Sequence, residues 1–264
     1  MRAHPMIGTG SAIGVGLVFL LAHGTSTNAQ GRGGLTVADA KPGDVRVMVT
    51  AAIRTPLEAV RAEAEKTVGR PLVIQYGSAR GNLRDQILAG QAFEVAILLP
   101  DVNEELAKQG KIVARSFDIA RVDVAIGQRG NAPRIEMSTP AALKSAMLNA
   151  KSLRWSPTGA ALLTVNKILD TLGIRETVKA KHNLPGPVAL GPGEYELNIF
   201  PLSEILDNKA LQNLGPVIPE LQVPAFITAA IGRNANDVNS AKALIKFLQG
   251  PAIEPALKAS GMRR

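Results

Sequence analysis

The strongest constraint on the fold is a repeated alternation of two periodicities. "DVRVMVTAAI", from Asp44, is apolar and rich in β-branched residues, the pattern of a strand buried on both faces. "TPLEAVRAEAEKTVG", from Thr55, then spaces its apolar residues as a helix, with Thr55 as cap, Pro56 at the first helical position and Gly69 as the stop. The grammar continues through strand "PLVIQYG", helix "NLRDQILAG", strand "FEVAILLP", helix "VNEELAKQG" and strand "RVDVAIGQ". It predicts βαβ units and a mainly parallel sheet covered on both faces, with any ligand site beyond the carboxyl ends of the strands.

A second round begins near Gly130. It runs through helix "TPAALKSAMLNAK", short strand "SLRWS", helix "GAALLTVNKILDTLG" closed by Gly173, strand "YELNIFP" and helical segment "LSEILDNKALQNLG". Then "VPAFITAAIG" reads as a last strand, and "SAKALIKFLQGPAIEPALKASG" as two short helices broken at Gly250 and Pro251. The expected fold class is α/β, two lobes with two mainly parallel sheets. Lobe 1 is read as residues 30–122 plus 230–264 and lobe 2 as 123–229, with crossings near Ala120 to Gly127 and near Val223 to Gly232. Two crossings make a hinge and a cleft.

Ahead of both lobes, Arg2 gives a short positive start, "MIGTGSAIGVGLVFLLA" is uncharged and apolar, and "TNA" offers small residues for cleavage. Residues 1–29 therefore read as a secretory signal peptide; an uncleaved anchor is the competing reading, but the run is short and holds four glycines. The mature protein is expected in the periplasm. No cysteine is present, so no disulfide framework is used.

The net charge of +8 leaves nucleic acid, an anionic membrane and an acidic solute as the partners a basic surface suits. A nucleic-acid groove would interleave aromatics with basic runs, yet the chain has nine aromatic residues and spreads its Lys and Arg evenly, so no nucleic acid is expected. With His4 and His23 in the leader, His182 alone remains; it lies in the polar stretch "KAKHNLPGP" and reads as a solvated loop residue. A Ser-His-Asp triad would rest wholly on His182, which its loop setting disfavours, and a zinc site cannot be assembled from one histidine and no cysteine; no metal or cofactor is expected. Carboxylate-only catalysis stays open, but binding is the favoured class and the protein is read as a non-enzyme.

The loop "YGSARGNLRDQI" places Gly77, Ser78, Arg80 and Gly81 between a strand and a helix, where free backbone N–H groups favour an anion; the plain alternative is a turn with Ser78 as cap and Arg80 in water. In order and spacing, "VMVTAAIRTPLEAV", "YGSARGNLRDQILAGQAFEVAIL", "STPAALKSAMLNAKSLRWSPTGAA", "ELNIFPLSEIL", "GPVIPELQ" and "FITAAIGRNANDVNSAKALIKFLQGPA" resemble the periplasmic solute-binding proteins of the molybdate-binding type, which serve ABC importers. The resemblance covers nearly all of the mature chain. It implies the type II periplasmic binding protein fold, capture of a solute between the lobes, a monomer, and docking on a membrane permease.

The same resemblance implies four ligand loops: Ala52, Ile53 and Arg54; Ser78, Ala79 and Arg80; Thr158, Gly159, Ala160 and Ala161; and Pro201. The family's first binding serine falls on or beside Ala52, its second near Arg80, and its binding tyrosine on Pro201, which has neither hydroxyl nor N–H. Losing two hydroxyls and gaining a guanidinium, whose planar fork fits a carboxylate or phosphate, favours an organic carboxylate over molybdate or a related oxyanion. Arg54, and less so Arg154, add charge to the cleft. Thr50 and Ser203 are further hydroxyl sources, Trp155 reads as core, and Tyr76 and Tyr195 as sheet-end residues. A carboxylate-dependent enzyme and a ligand-sensing module on the same fold are the alternatives.

Overall fold

In the computed structural model, which describes residues 36–264, the first predicted strand is β1 (Val45–Thr50), with five of its six residues buried. Its chain turns through a 3-10 segment at Ala51–Ile53 and enters α1 (Arg54–Val68). The helix starts one residue before Thr55, which does not cap it, and Pro56 sits within the first turn, where its missing N–H costs nothing. Gly69 ends it in the left-handed region at φ +74°, as a C-terminal stop requires. The signal peptide read at residues 1–29 lies outside the described residues.

The chain continues through β2 (Leu72–Gly77), α2 (Arg84–Leu88), β3 (Val95–Leu98), α3 (Pro100–Lys108), β4 (Ile112–Val122), β5 (Val124–Gly130), α4 (Pro140–Asn149) and β6 (Ser152–Arg154). Then follow α5 (Leu162–Leu172), α6 (Arg175–Val178), β7 (Tyr195–Pro201), α7 (Leu202–Asp207), β8 (Gln212–Pro216), β9 (Ala225–Gly232), α8 (Val238–Gln249), α9 (Glu254–Ala259) and β10 (Met262–Arg263). Thr139 caps α4 by accepting from the Ala142 N–H at 3.1 Å. β8 replaces the predicted end of a helix: "QNLGP" has helix-forming residues but forms a half-exposed edge strand, bulged near Gly215 at φ +108°.

Two sheets form the two lobes. One has the order β10-β4-β9-β3-β1-β2 and the other β6-β7-β5-β8. Both are mixed, which corrects the expectation of mainly parallel sheets. β1 runs parallel to β2 and β3, and β6 parallel to β7, as helix crossovers demand. β9 pairs antiparallel with β3 and β4, because it returns from the second lobe while they head toward it. β5 enters the second sheet from the first lobe and therefore opposes β7 and β8.

Each lobe has its own apolar core. The first gathers Val47, Val49, Ile53, Leu57, Ile97 and Leu98; the second gathers Val124, Leu153, Ile168, Leu197 and Ile199. Fully burying one such side chain contributes about 1.5–3 kcal/mol. The chain leaves the first sheet at Asp123 and rejoins it at Ala225. The Gln222 side chain ties the two crossings together, accepting from Val124 N at 3.0 Å and donating to Val124 O at 2.9 Å.

Candidate functional site

The carboxyl ends of β1, β2 and β7 and the loop after β6 carry the four predicted ligand segments, and the lobes meet at them. After β2, Ala79–Leu83 forms one wide helical turn, broken at Gly81, where φ −116° and ψ −121° are not helical. Asn82 Oδ1 accepts from the Ser78 N–H at 2.8 Å and closes the turn. Ser78 does not cap a helix; its hydroxyl reaches the second lobe, 2.7 Å from both Thr158 O and Thr158 Oγ1. Arg80 crosses the same gap twice, with its backbone N–H on Thr158 O at 3.1 Å and Nη1 on Gly159 O at 2.8 Å. A Cβ on Gly81 would stand 2.8 Å from Thr158 Oγ1, so only glycine permits this approach.

Arg80 is therefore neither in water nor free. Its fork holds the Asp101 carboxylate, Nε to Oδ2 at 2.7 Å and Nη2 to Oδ1 at 3.1 Å, with only 13% of the side chain exposed. The two-point geometry is the one that suits a carboxylate, but in this closed arrangement the carboxylate comes from the start of α3.

On the other side of the interface, Ser203 Oγ donates to Ala52 O at 2.7 Å, and Thr55 is hydrogen-bonded to Asp207. Ala52 and Ile53 are buried. Arg54 lies over the Tyr76 ring, 4.5 Å from its centroid, and forms no ion pair among the described residues. Tyr76 donates its O–H to Glu58 at 2.8 Å, and burial raises its phenol well above the usual range. Pro201, buried, ends β7 opposite Val124 and hands the chain to α7. Ala160 packs into the first lobe's core and Ala161 into the second's, so adjacent residues of the third loop straddle the interface. Ala79 is fully buried behind the second loop.

Sequence reasoning missed Glu204, in the first turn of α7. Burial pushes its carboxyl up to about 7, with Arg54 pulling it down and Asp207 adding to the rise. Its only sequence signal is an acid three residues past a strand end, in "PLSEIL". It also missed Asp101. Arg154 turns away from the cleft, with Nε on Glu196 at 2.9 Å. His182 is not a solvated loop residue: it stacks on Trp155 at 3.6 Å with ring planes 9° apart, and burial lowers its pKa. Tyr195 donates to Ala146 O at 2.9 Å at the far end of β7.

A depression of about 680 Å³ lies elsewhere, at the amino end of β1, lined by Lys41, Arg46, Arg70, Glu94 and Asp237. Both of its arginines are already paired, Arg46 with Glu94 at 2.6 Å and Arg70 with Asp237 at 3.1 Å, so the interlobe junctions are the stronger candidate. Among the described residues no group of three or more His, Cys, Asp or Glu is placed to hold a metal ion.

Two lobes with mixed sheets, two crossings and loops that meet across a cleft are the architecture of a type II periplasmic binding protein. The sequence pattern of the family described as bacterial extracellular solute-binding protein matches residues 45–263, and the chain belongs to that family. Among curated proteins it is 19% identical to an aconitate isomerase from a Pseudomonas species over 226 residues, covering 82% of this chain and 86% of that protein. Among solved structures, the periplasmic molybdate-binding protein of Azotobacter vinelandii superposes with a TM-score of 0.66 at 16% identity, covering 83% of this chain and 99% of that one. Peb3 from Campylobacter jejuni superposes at 0.59 with 13% identity, covering 84% and 100%.

Proposed function

We propose that this protein captures a small organic anion bearing a carboxylate in the cleft between its lobes and hands it, in the periplasm, to the membrane permease of an ABC importer. The observation that carries the reading is Arg54. Among the described residues it is a guanidinium without an acidic partner, stacked on Tyr76 at the first ligand junction, so its fork is available to a carboxylate while the cation–π contact holds it over the ring. Arg80 supports it as the residue that joins the lobes, preoriented by Asp101 and released from Gly159 when they part. The ligand contacts are assigned to Ala52, Ile53, Arg54, Ser78, Ala79, Arg80 and the Thr158 to Ala161 loop, with Pro201 contributing shape alone.

Closure requires contacts made only in the shut form, and the bonds of Ser78 and Arg80 to Thr158 and Gly159 are of that kind. Each contributes about 0.5–1.5 kcal/mol, so the ligand's own bonds to both lobes must supply the rest. Peb3 has been solved with L-phospholactate bound, and that observation on a protein of similar fold supports the reading. Calorimetry with tartrate, fumarate, trans-aconitate, molybdate and sulfate tests the reading. A carboxylate should bind and the two inorganic oxyanions should not; tight molybdate binding with no carboxylate bound would favour the oxyanion alternative.

A second reading, an enzyme on the same fold, is favoured by the similarity to aconitate isomerase across 82% of the chain. It predicts turnover: cis-aconitate incubated with the protein converts to the trans isomer, followed by proton NMR. Conversion at the uncatalysed rate returns the protein to pure capture.

A further inference from the structure

Among the described residues, an ionisable group beside the lobe interface is given a role by neither the loop resemblance nor the lobe contacts. Glu204 stands three residues past the end of β7, on a helix that packs against the Ala51–Ile53 turn of the opposite lobe. The Ser203 bond to Ala52 O, one residue before it, fixes its place at the interface. Its residue is half-buried, and its carboxyl has no hydrogen-bond or salt-bridge partner among the described residues.

The charges around it are few. From the opposite lobe come Arg54, unpaired, and Glu58, occupied by Tyr76 and Arg61. From its own helix comes Asp207, bonded to Thr55, and just beyond it Lys209, bonded to Leu206 O. Of the strands packed on α7, β8 carries no charge, β5 offers Arg129 and β7 offers Glu196, and these two are paired with each other at 3.0 Å. Behind Leu202, Asp123 and Arg263 form a pair at 2.8 Å. Among the described residues, Arg54 is thus the one uncommitted cation whose field acts on Glu204.

We propose that Glu204 and Arg54 grip one carboxylate of the captured solute between them, Glu204 as a neutral acid donating its O–H and Arg54 donating from its guanidinium, so that each solute binds together with a proton. This rests on the carboxylate-receptor reading. A neutral acid beside a cation complements a single negative charge, with one donor from each lobe. An ionised Glu204 would repel the solute and neutralise Arg54. The proton comes from solvent to the Glu204 carboxylate on binding and returns to solvent on release, so the exchange balances. Burial already pushes the Glu204 carboxyl up to about 7, and an anion at Arg54 would raise its proton affinity further.

The test is calorimetry from pH 6.5 to 8.5 with tartrate, fumarate and trans-aconitate, whose carboxyls are all ionised above about pH 6, in buffers of different ionisation enthalpy. The wild type should bind its best probe about tenfold or more weakly at pH 8.5 than at 6.5 and take up close to one proton per probe at pH 8. Glu204→Gln, which keeps a donor but cannot ionise, should show a flat profile and no such uptake. Identical pH profiles for wild type and Glu204→Gln, or no proton uptake by the wild type, would overturn the proposal; the wild-type reading decides alone if the variant fails to fold. If none of the three probes binds at any pH, the carboxylate-receptor reading falls and the proposal with it.

Discussion

Glu196 and Glu204 are both acids of the second lobe, and their surroundings drive them in opposite directions. Burial would raise Glu196, but bonds from Arg129, Ser152 and Arg154 outweigh it and bring the carboxyl down to about 2. A carboxylate depressed in the folded state stabilises above its unfolded pKa, and the contribution is lost as pH falls from about 4.5 toward 2. Glu196→Gln should therefore cost on the order of 3 kcal/mol at pH 7, read by urea denaturation, with the difference from wild type shrinking below pH 4. Equal losses at pH 7 and pH 3 would contradict it. Glu204, raised, has the reverse sign: the native state binds the extra proton, so stability falls as pH rises from about 4.5 through about 7. Glu204→Gln should raise Tm at pH 8 and leave it unchanged at pH 4; a drop at pH 8 would contradict this. Neither behaviour is legible in the sequence, because the partners of Glu196 lie 42 to 67 residues away along the chain.

At the scale of elements, most strands and helices were legible because their periodicity and stop residues are local. Gly69 and Gly173 end their helices in left-handed geometry where the pattern places them. β8 was not legible, since an edge strand with half-exposed residues lacks the apolar pattern of a buried one. The loop after β2 was legible as a junction and misread in its detail: Ser78 looks like a cap until Thr158, eighty residues on, is brought against it. Likewise His182 gains its stacking partner only when Trp155 is folded beside it. Gly81 is where this loop's approach to the second lobe depends on having no side chain. Gly81→Ala should push Thr158 back, break the Ser78 contact and weaken closure. Small-angle scattering should then show a larger radius of gyration than wild type and calorimetry about tenfold weaker capture, about 1.4 kcal/mol; unchanged scattering and affinity would mean the loop contact does not hold the lobes.

Across the whole molecule, the two crossings, at Asp123 and over residues 217–224, are clipped by Gln222, and the lobes touch again at the ligand junctions on both sides of the cleft. Two crossings so placed are where a hinge would bend, and the interface sets the turn before Arg54 against the helix that carries Glu204, from lobes that fold around separate cores. The fold class and two-lobe plan were legible from alternation alone. The antiparallel course of β9 was not, because it follows from the chain's return path. The most direct test is calorimetric titration of wild type and Arg54→Ala with the best-binding probe among tartrate, fumarate and trans-aconitate. The account predicts a measurable wild-type affinity that falls at least tenfold in the variant, with the fold intact by circular dichroism. An Arg54→Ala protein that binds the same carboxylate as tightly as wild type would contradict it.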